Sequence, residues 1–292
     1  MDNCNQLLLS IVIANYNYGR FLDEAIQSVL SQSCQDFEVI IVDGGSTDNS
    51  VEIIKRHENR IAWWVSEKDG GQSDAFNKGF AHAHGRFLTW LNADDVMLPG
   101  TIEKLKVAAG RHPNCEWFVG GVFWLDPQMR IVNCGRGRPF SEIRYRAGNV
   151  SVWGPSSFFT KRLLDAVGGV DERFHYMMDS DLWLRFACKQ GARYRPFCDY
   201  AWGLRLHPDA KMSRHNFKAD GTLALGQKIE MDEKQRRAEE QKRTERSIIR
   251  DYFQAEKMNP LSRLFSISWL KVFAAKLDRT RFKGKHYMEY FK

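Results

Sequence analysis

The chain has little from which to build a cysteine-based site. Its six cysteines (Cys4, Cys34, Cys115, Cys134, Cys188 and Cys198) form no CxxC pair and follow no regular spacing. That excludes a zinc ribbon or a disulfide framework and leaves reduced thiols as the expectation. Long hydrophobic runs are missing as well: no stretch approaches the roughly 20 apolar residues that cross a bilayer. The opening MDNCNQLLLSIVIANYN carries no basic segment before its apolar run, and the run breaks into turn-forming residues, unlike a secretory leader. A cytoplasmic protein, soluble or resting peripherally on the inner face of the cytoplasmic membrane, is expected. Internal repeats and low-complexity linkers are absent too. What is present is 292 residues with 43% hydrophobic content, enough for a large core without staples.

Charge is unevenly placed. Residues 211–292 hold 20 Lys and Arg against 11 Asp and Glu, an excess of +9, whereas residues 1–210 carry −2. A basic excess confined to the tail argues against a nucleic-acid-binding core and suits an anionic surface such as a membrane face, or a solvated basic helix. Composition turns helical and highly charged near residue 215, which sets the expected boundary between a domain over 1–215 and an extension over 216–292. Within the extension, LSRLFSISWLKVFAAKLDRTRFKGK (261–285) interleaves Leu264, Phe265, Ile267, Leu270, Phe273 and Ala274 with Lys and Arg. That pattern fits an amphipathic helix on anionic lipid, packed on the core, or packed on a second subunit. The sequence leaves the oligomeric state open.

Four short runs, LLLSIVIA (7–14), FEVIIVD (37–43), IAWWVSE (61–67) and RFLTWLNADD (86–95), are rich in branched and aromatic residues and bounded by Gly, Asn and Asp. They read as buried strands. Between them lie helical patterns: Leu22, Ala25, Ile26, Val29 and Leu30 recur at helical spacing, and Val51, Ile53 and Ile54 follow a Ser/Asp/Asn cap region. Alternation of strand and helix implies a parallel sheet with right-handed crossovers. Further on, CEWFVGGVFWLD (115–126) reads as a strand pair, SSFFT as a strand, and the segments from Lys161 and through DSDLWLRFACKQG as helices.

In such a sheet, ligands sit beyond the carboxyl ends of the strands. Two strands here end on acids. Asp43 is followed by Gly44 and Gly45, which let a ligand approach the backbone, although the same stretch serves equally as a turn and helix cap. Asp94 and Asp95 close another apolar strand. Adjacent carboxylates repel unless a cation lies between them and an anionic ligand, and Mg²⁺ or Mn²⁺ fits because hard ions are held by one or two carboxylates plus phosphates and water.

Taken together, SIVIANYN, VDGGSTDNS, SEKDGGQSDAFNKGFAHAHGRFLTWLNADDVMLPG and DSDLWLR resemble, in order, spacing and residue type, the family 2 glycosyltransferases over residues 7–210. The resemblance implies the GT-A fold: a Rossmann-like, mostly parallel sheet flanked by helices, here with a helical C-terminal extension. It also implies an inverting transfer of sugar from a nucleoside diphosphate sugar, first of all a UDP-sugar, to a glycan or lipid-linked glycan acceptor. Surface polysaccharide or glycoconjugate synthesis is the implied setting, with a divalent cation, Mn²⁺ or Mg²⁺, as cofactor. Residue by residue, Ala14 and Tyr16 would pack on the base, Asp43 would bond base or ribose, and Asp74, Asn77 and Asp94 would face the donor nucleotide. Asp94, Asp95 and His207 would hold the cation. Asp179 would be the general base, with Asp181 competing for the role or pairing along the helix with Arg185. Trp153, Asp181, Trp183, Arg185 and Arg205 would line or support the acceptor side and the closing segment.

Three positions depart from the family pattern: Gly44 and Asn92 stand where acids are usual, and Met178 replaces the Glu before Asp179. They keep open a nucleotide-sugar-binding or scaffolding protein with impaired catalysis. A sugar nucleotidyltransferase is disfavoured, because ANYNYGRF lacks the Gly-rich basic loop expected after the first strand.

Overall fold

The computed structural model describes residues 7–137, 152, 154–176, 178–192, 194–211 and 282–288. The apolar runs form strands because residues facing both sides are buried: β1 (Leu9–Asn15) and β2 (Phe37–Asp43) are almost wholly enclosed. β3 (Trp63–Ser66), β4 (Phe87–Asn92) and the short β5 (Val96–Met97) follow. The second half supplies β6 (Trp117–Leu125), β7 (Ile131–Gly135), β8 (Ser157–Thr160) and β9 (Arg195–Arg205). These lie in one sheet of order β3-β2-β1-β4-β8-β6-β9-β5, with β7 beside β6. The pairings run β3, β2, β1, β4, β6 and β9 in one direction and β8, β7 and β5 against it, so the sheet is mixed but mostly parallel.

Side chains alternate across the strands, and each face is covered by its own helices. Ile11 and Ile13 share a core with Val39 and Ile41 and with residues of α1 (Gly19–Leu30), α2 (Ser50–Arg56) and α4 (Thr101–Arg111). On the other face, Val12, Ile40 and Val42 pack with α3 (Gln72–Ala81), α5 (Lys161–Val167) and α6 (Met178–Lys189). Helix α5 starts where the Thr160 side chain accepts from Leu163 N and stops at Gly168, whose φ of 82° only glycine adopts readily.

The segment 115–126 is one strand, not the expected pair. Its Gly120-Gly121 does not turn the chain; it admits close neighbours, since a Cβ on Gly120 would lie 2.6 Å from Ala201 Cβ and one on Gly121 would lie 2.7 Å from the Gly135 carbonyl oxygen.

Residues 282–288 return from the far end of the chain to the β7 side. Ile131 N donates to Lys285 O at 2.7 Å, Gly284 N to Ile131 O at 2.7 Å and Tyr287 N to Met129 O at 3.0 Å, while Phe282 and Tyr287 are buried with Phe123 and Tyr200. This piece of the expected extension therefore packs on the domain. The boundary at 215 and the amphipathic stretch before residue 282 lie outside the described residues. Among the described residues, no helix is long and apolar enough to cross a membrane.

Candidate active site

Register brings the polar ends of four strands side by side. Asn15 pairs with Asp43, Asp43 with Ser66, and Ala14 with Asn92. Asp43 is fully buried, a position that is costly for a carboxylate unless its oxygens are hydrogen-bonded. They are: Oδ1 accepts from Asn15 Nδ2 at 2.6 Å and Ser46 Oγ at 2.5 Å, and Oδ2 from Ser46 N at 2.9 Å and Ser66 Oγ at 2.6 Å. Four donors fill the four acceptor sites of a carboxylate. A buried strand ends on an acid here because that acid ties the tips of β1, β2 and β3 together. The residue thus shapes the floor of the site.

The turn after β1 is pinned to this floor. Asn17, at φ 55°, donates its N–H to Ser46 Oγ at 2.7 Å and accepts from Thr47 N at 2.8 Å. Tyr16, next to it, is 60% exposed, leaving its ring open for a planar ligand, and Ala14 is half-buried at the β1 tip.

Beyond β4 the two acids separate. Asp95 is buried and turned inward, accepting from Arg205 N at 3.0 Å and Asn92 Nδ2 at 2.8 Å. Burial, reinforced by the neighbouring charge of Asp94, pushes its carboxyl well above the usual range. Asp94 turns instead to His207, Oδ2 to Nε2 at 3.1 Å. Arg205 holds this arrangement from behind, Nε donating to Asp94 O at 2.9 Å and Nη2 pairing with Glu24 at 2.5 Å, with its guanidinium over the Phe21 ring. The His207 ring packs on Phe21 at 4.6 Å, and Tyr18 OH donates to Asp209 O at 2.9 Å, which docks the closing segment on α1.

Asp94 and His207 suit a divalent cation. Two donors at about 2.1 Å from one ion and at right angles to each other stand about 3 Å apart, close to the observed separation. Among the described residues, His207 Nδ1 is buried without a partner. No group of three or more His, Cys, Asp or Glu donors gathers among the described residues, so such an ion would need phosphate and water to complete its shell. Asp95, expected to share in this, accepts instead from Arg205 N and Asn92 Nδ2.

Asn92 is also spoken for: besides its bond to Asp95, its Oδ1 accepts from Gln72 Nε2 at 2.9 Å, and Gln72 in turn accepts from Lys211 Nζ at 3.1 Å. Sequence reasoning missed Gln72 and Lys211, which join the start of α3 to the closing segment. The only signal was their polarity beside recognised motifs.

Several expected ligands face the protein. Asn77 bonds Val170 N and O at 2.9 and 2.8 Å and Glu172 at 2.8 Å, latching α3 to the loop after α5. Asp74 caps its own loop, accepting from Gly70 N at 2.7 Å. Asp181 pairs with Arg185 at 2.7 Å, and Arg185 Nη1 also reaches Val167 O and Gly169 O at 2.9 and 2.7 Å. That is the pairing reading of Asp181, and both side chains are about one tenth exposed. Trp183 is completely buried, stacked on Trp90 and Trp117 with both centroid separations at 5.4 Å. It builds the core under the site. The other acid of the DSD stretch is Asp179. Half-buried in the first turn of α6, it accepts from Ser180 N at 2.6 Å and lies over Gly154, where a Cβ would be 3.9 Å from its Oδ2 and 3.6 Å from Trp90. Trp153 lies outside the described residues.

Comparison with known proteins places this geometry. The model of glycosyl transferase family 2 matches residues 10–131. An uncharacterized glycosyltransferase of Mycobacterium tuberculosis is 33% identical over 185 residues, covering 61% of this chain and 68% of that protein. One from Nostoc sp. is 42% identical over 100 residues, 33% of this chain and 31% of its own length. Residues 1–349 of Staphylococcus aureus TarS in complex with UDP-GlcNAc superpose with TM-score 0.59 at 18% identity, covering 70% of this chain and 60% of that one. The mannosyltransferase PcManGT of Pyrobaculum calidifontis in complex with GDP-Man and Mn²⁺ gives TM-score 0.53 at 19% identity, covering 73% and 61%. The chain thus spans from about a third to about two thirds of the proteins it matches.

Proposed function

The chain belongs to glycosyl transferase family 2, and from that premise we propose that it moves a sugar from a nucleoside diphosphate sugar, a UDP-sugar first of all, to an acceptor hydroxyl with inversion. The carrying observation is the meeting of Asp94 and His207 beside the aligned tips of β1, β2, β3 and β4. TarS in complex with UDP-GlcNAc and PcManGT in complex with GDP-Man and Mn²⁺ support a nucleotide-sugar donor and a cation.

In this reading Tyr16 stacks on the base, as aromatic rings do on planar partners. Asp94 and His207 would hold Mn²⁺ or Mg²⁺, which when bound supplies positive charge to the departing diphosphate. Asp179 accepts the proton of the acceptor hydroxyl as its oxygen bonds the anomeric carbon and the bond to diphosphate breaks. The single displacement inverts that carbon. With Met178 rather than an acid beside it, Asp179 works without an adjacent like charge on its N-terminal side.

Purified protein with Mn²⁺ is expected to turn over one member of a nucleotide-sugar panel, by slow hydrolysis if no acceptor is supplied, and to lose that activity to a chelator. Turnover indifferent to the chelator would remove the cation from the reading. A basic excess after residue 211 suits a lipid-linked acceptor on an anionic membrane face. Flotation with anionic vesicles at low salt, abolished at high salt, is the expected result; no flotation at low salt would leave a soluble glycan acceptor.

A further inference from the structure

Asp43 is saturated by protein donors, and Gly44, where the family pattern has a second acid, has no side chain to offer. The space that a side chain at 44 would enter is occupied. A Cβ on Gly44 would lie 2.8 Å from Asp69 Oδ2, 3.1 Å from Asp69 Cγ and 3.1 Å from Asp69 Oδ1. The loop between β3 and α3 thus brings a carboxylate to the β2 tip from a position 25 residues further along the chain.

Asp69 differs from Asp43 in what it has left over. The donor it meets among the described residues is Gly71 N, to Oδ1 at 2.9 Å, leaving most of its acceptor capacity free of protein partners. It is half-buried rather than enclosed. Burial, with the charges of Asp74 and Asp43 opposing the pull of Lys78, raises its carboxyl above the usual range. Lys78 is itself half-buried and paired at 2.6 Å with the exposed Glu67. Three acids in one corner repel a diphosphate but welcome neutral donors such as ribose hydroxyls or a base N–H. The corner lies beside β3, while Asp94 follows β4. Those strands are three steps apart in the sheet, on the order of 14 Å at the usual strand spacing. A nucleoside at one end and its diphosphate at the other would bridge that span.

We propose that Asp69 is a donor-binding residue of this enzyme, supplying through space the carboxylate that position 44 lacks and accepting hydrogen bonds from the nucleoside part of the donor. The inference deepens the donor reading above and rests on it.

The test measures binding, by calorimetry with Mn²⁺, of inorganic pyrophosphate and of whichever of UDP, GDP, CDP and ADP binds wild type most tightly. Asp69→Ala is expected to weaken the nucleotide about 10- to 100-fold, the cost of a lost bond to a charged group, and to leave pyrophosphate unchanged. Gly44→Asp, which forces a fourth acid against Asp69, is expected to weaken it comparably. The double variant Gly44→Asp with Asp69→Gly is expected to recover most of the affinity, because the carboxylate returns to the same place from the other side. Nucleotide affinity unchanged in Asp69→Ala would overturn the inference alone, as would equal losses for nucleotide and pyrophosphate. Should the double variant bind no better than Gly44→Asp while melting at the wild-type temperature, the exchange of positions is wrong. Wild type that binds none of the four nucleotides overturns the donor reading together with this one.

Discussion

Asp179→Asn is expected to leave the fold and donor binding intact while kcat falls by about 10²- to 10⁴-fold, the usual contribution of a positioned general base. The substitution keeps the volume of the side chain and an acceptor oxygen for Ser180 N in the first turn of α6. What it removes is the ability to take a proton. The informative control is Asp181→Asn, two residues on. Asp181 is buried in an ion pair with Arg185, whose Nη1 also fastens the carbonyls of Val167 and Gly169. Breaking such a pair strands a buried guanidinium and costs about 3–5 kcal/mol. One variant should therefore lose turnover at unchanged melting temperature, and its neighbour should lose stability first. If steady-state kinetics show Asp179→Asn within a few-fold of wild type, the acceptor proton leaves by another route and Asp179 has no part in the chemistry.

How far the sequence was readable depends on whether a signal is local. FEVIIVD marks β2 residue for residue, because an apolar run buried on both faces leaves few alternatives, and the acid-tipped strand ends located the site. Side-chain direction is another matter. Asn77, Asp181, Trp183 and Arg185 occupy motif positions, yet each is committed to partners inside the protein. A motif fixes where a residue stands along the chain; what it touches is decided by segments far away. A Gly-Gly pair inside an apolar run serves both turns and close contacts, and at Gly120-Gly121 it is the position of Ala201 that distinguishes them. The seating of Tyr287 by Met129 is equally invisible, since its partner lies more than a hundred residues earlier. Asp69 went unnoticed for the same reason: nothing in KDGG announces that its carboxylate rests against Gly44.

Asp94→Ala should be the most damaging change on the diphosphate side. Asp95 cannot take over, because it is buried and bonded to Arg205 N and Asn92. His207 would remain, packed on Phe21 but without the carboxylate that faces its Nε2. A single imidazole is a poor anchor for a hard cation, which prefers oxygen ligands. Turnover is expected to fall by about 10²- to 10³-fold, comparable to removing one preorganised group that stabilises developing negative charge. Nucleotide affinity should lose its dependence on Mn²⁺, while the affinity measured in chelator stays near wild type, since the nucleoside end of the cleft is untouched. His207→Ala should move both quantities in the same direction by a smaller amount, because Asp94 keeps its charge and Arg205 still holds its carbonyl. A titration of Mn²⁺ against UDP binding for the two variants reads this order. Equal Mn²⁺ dependence in wild type and Asp94→Ala would mean that the cation, if one acts, is held elsewhere.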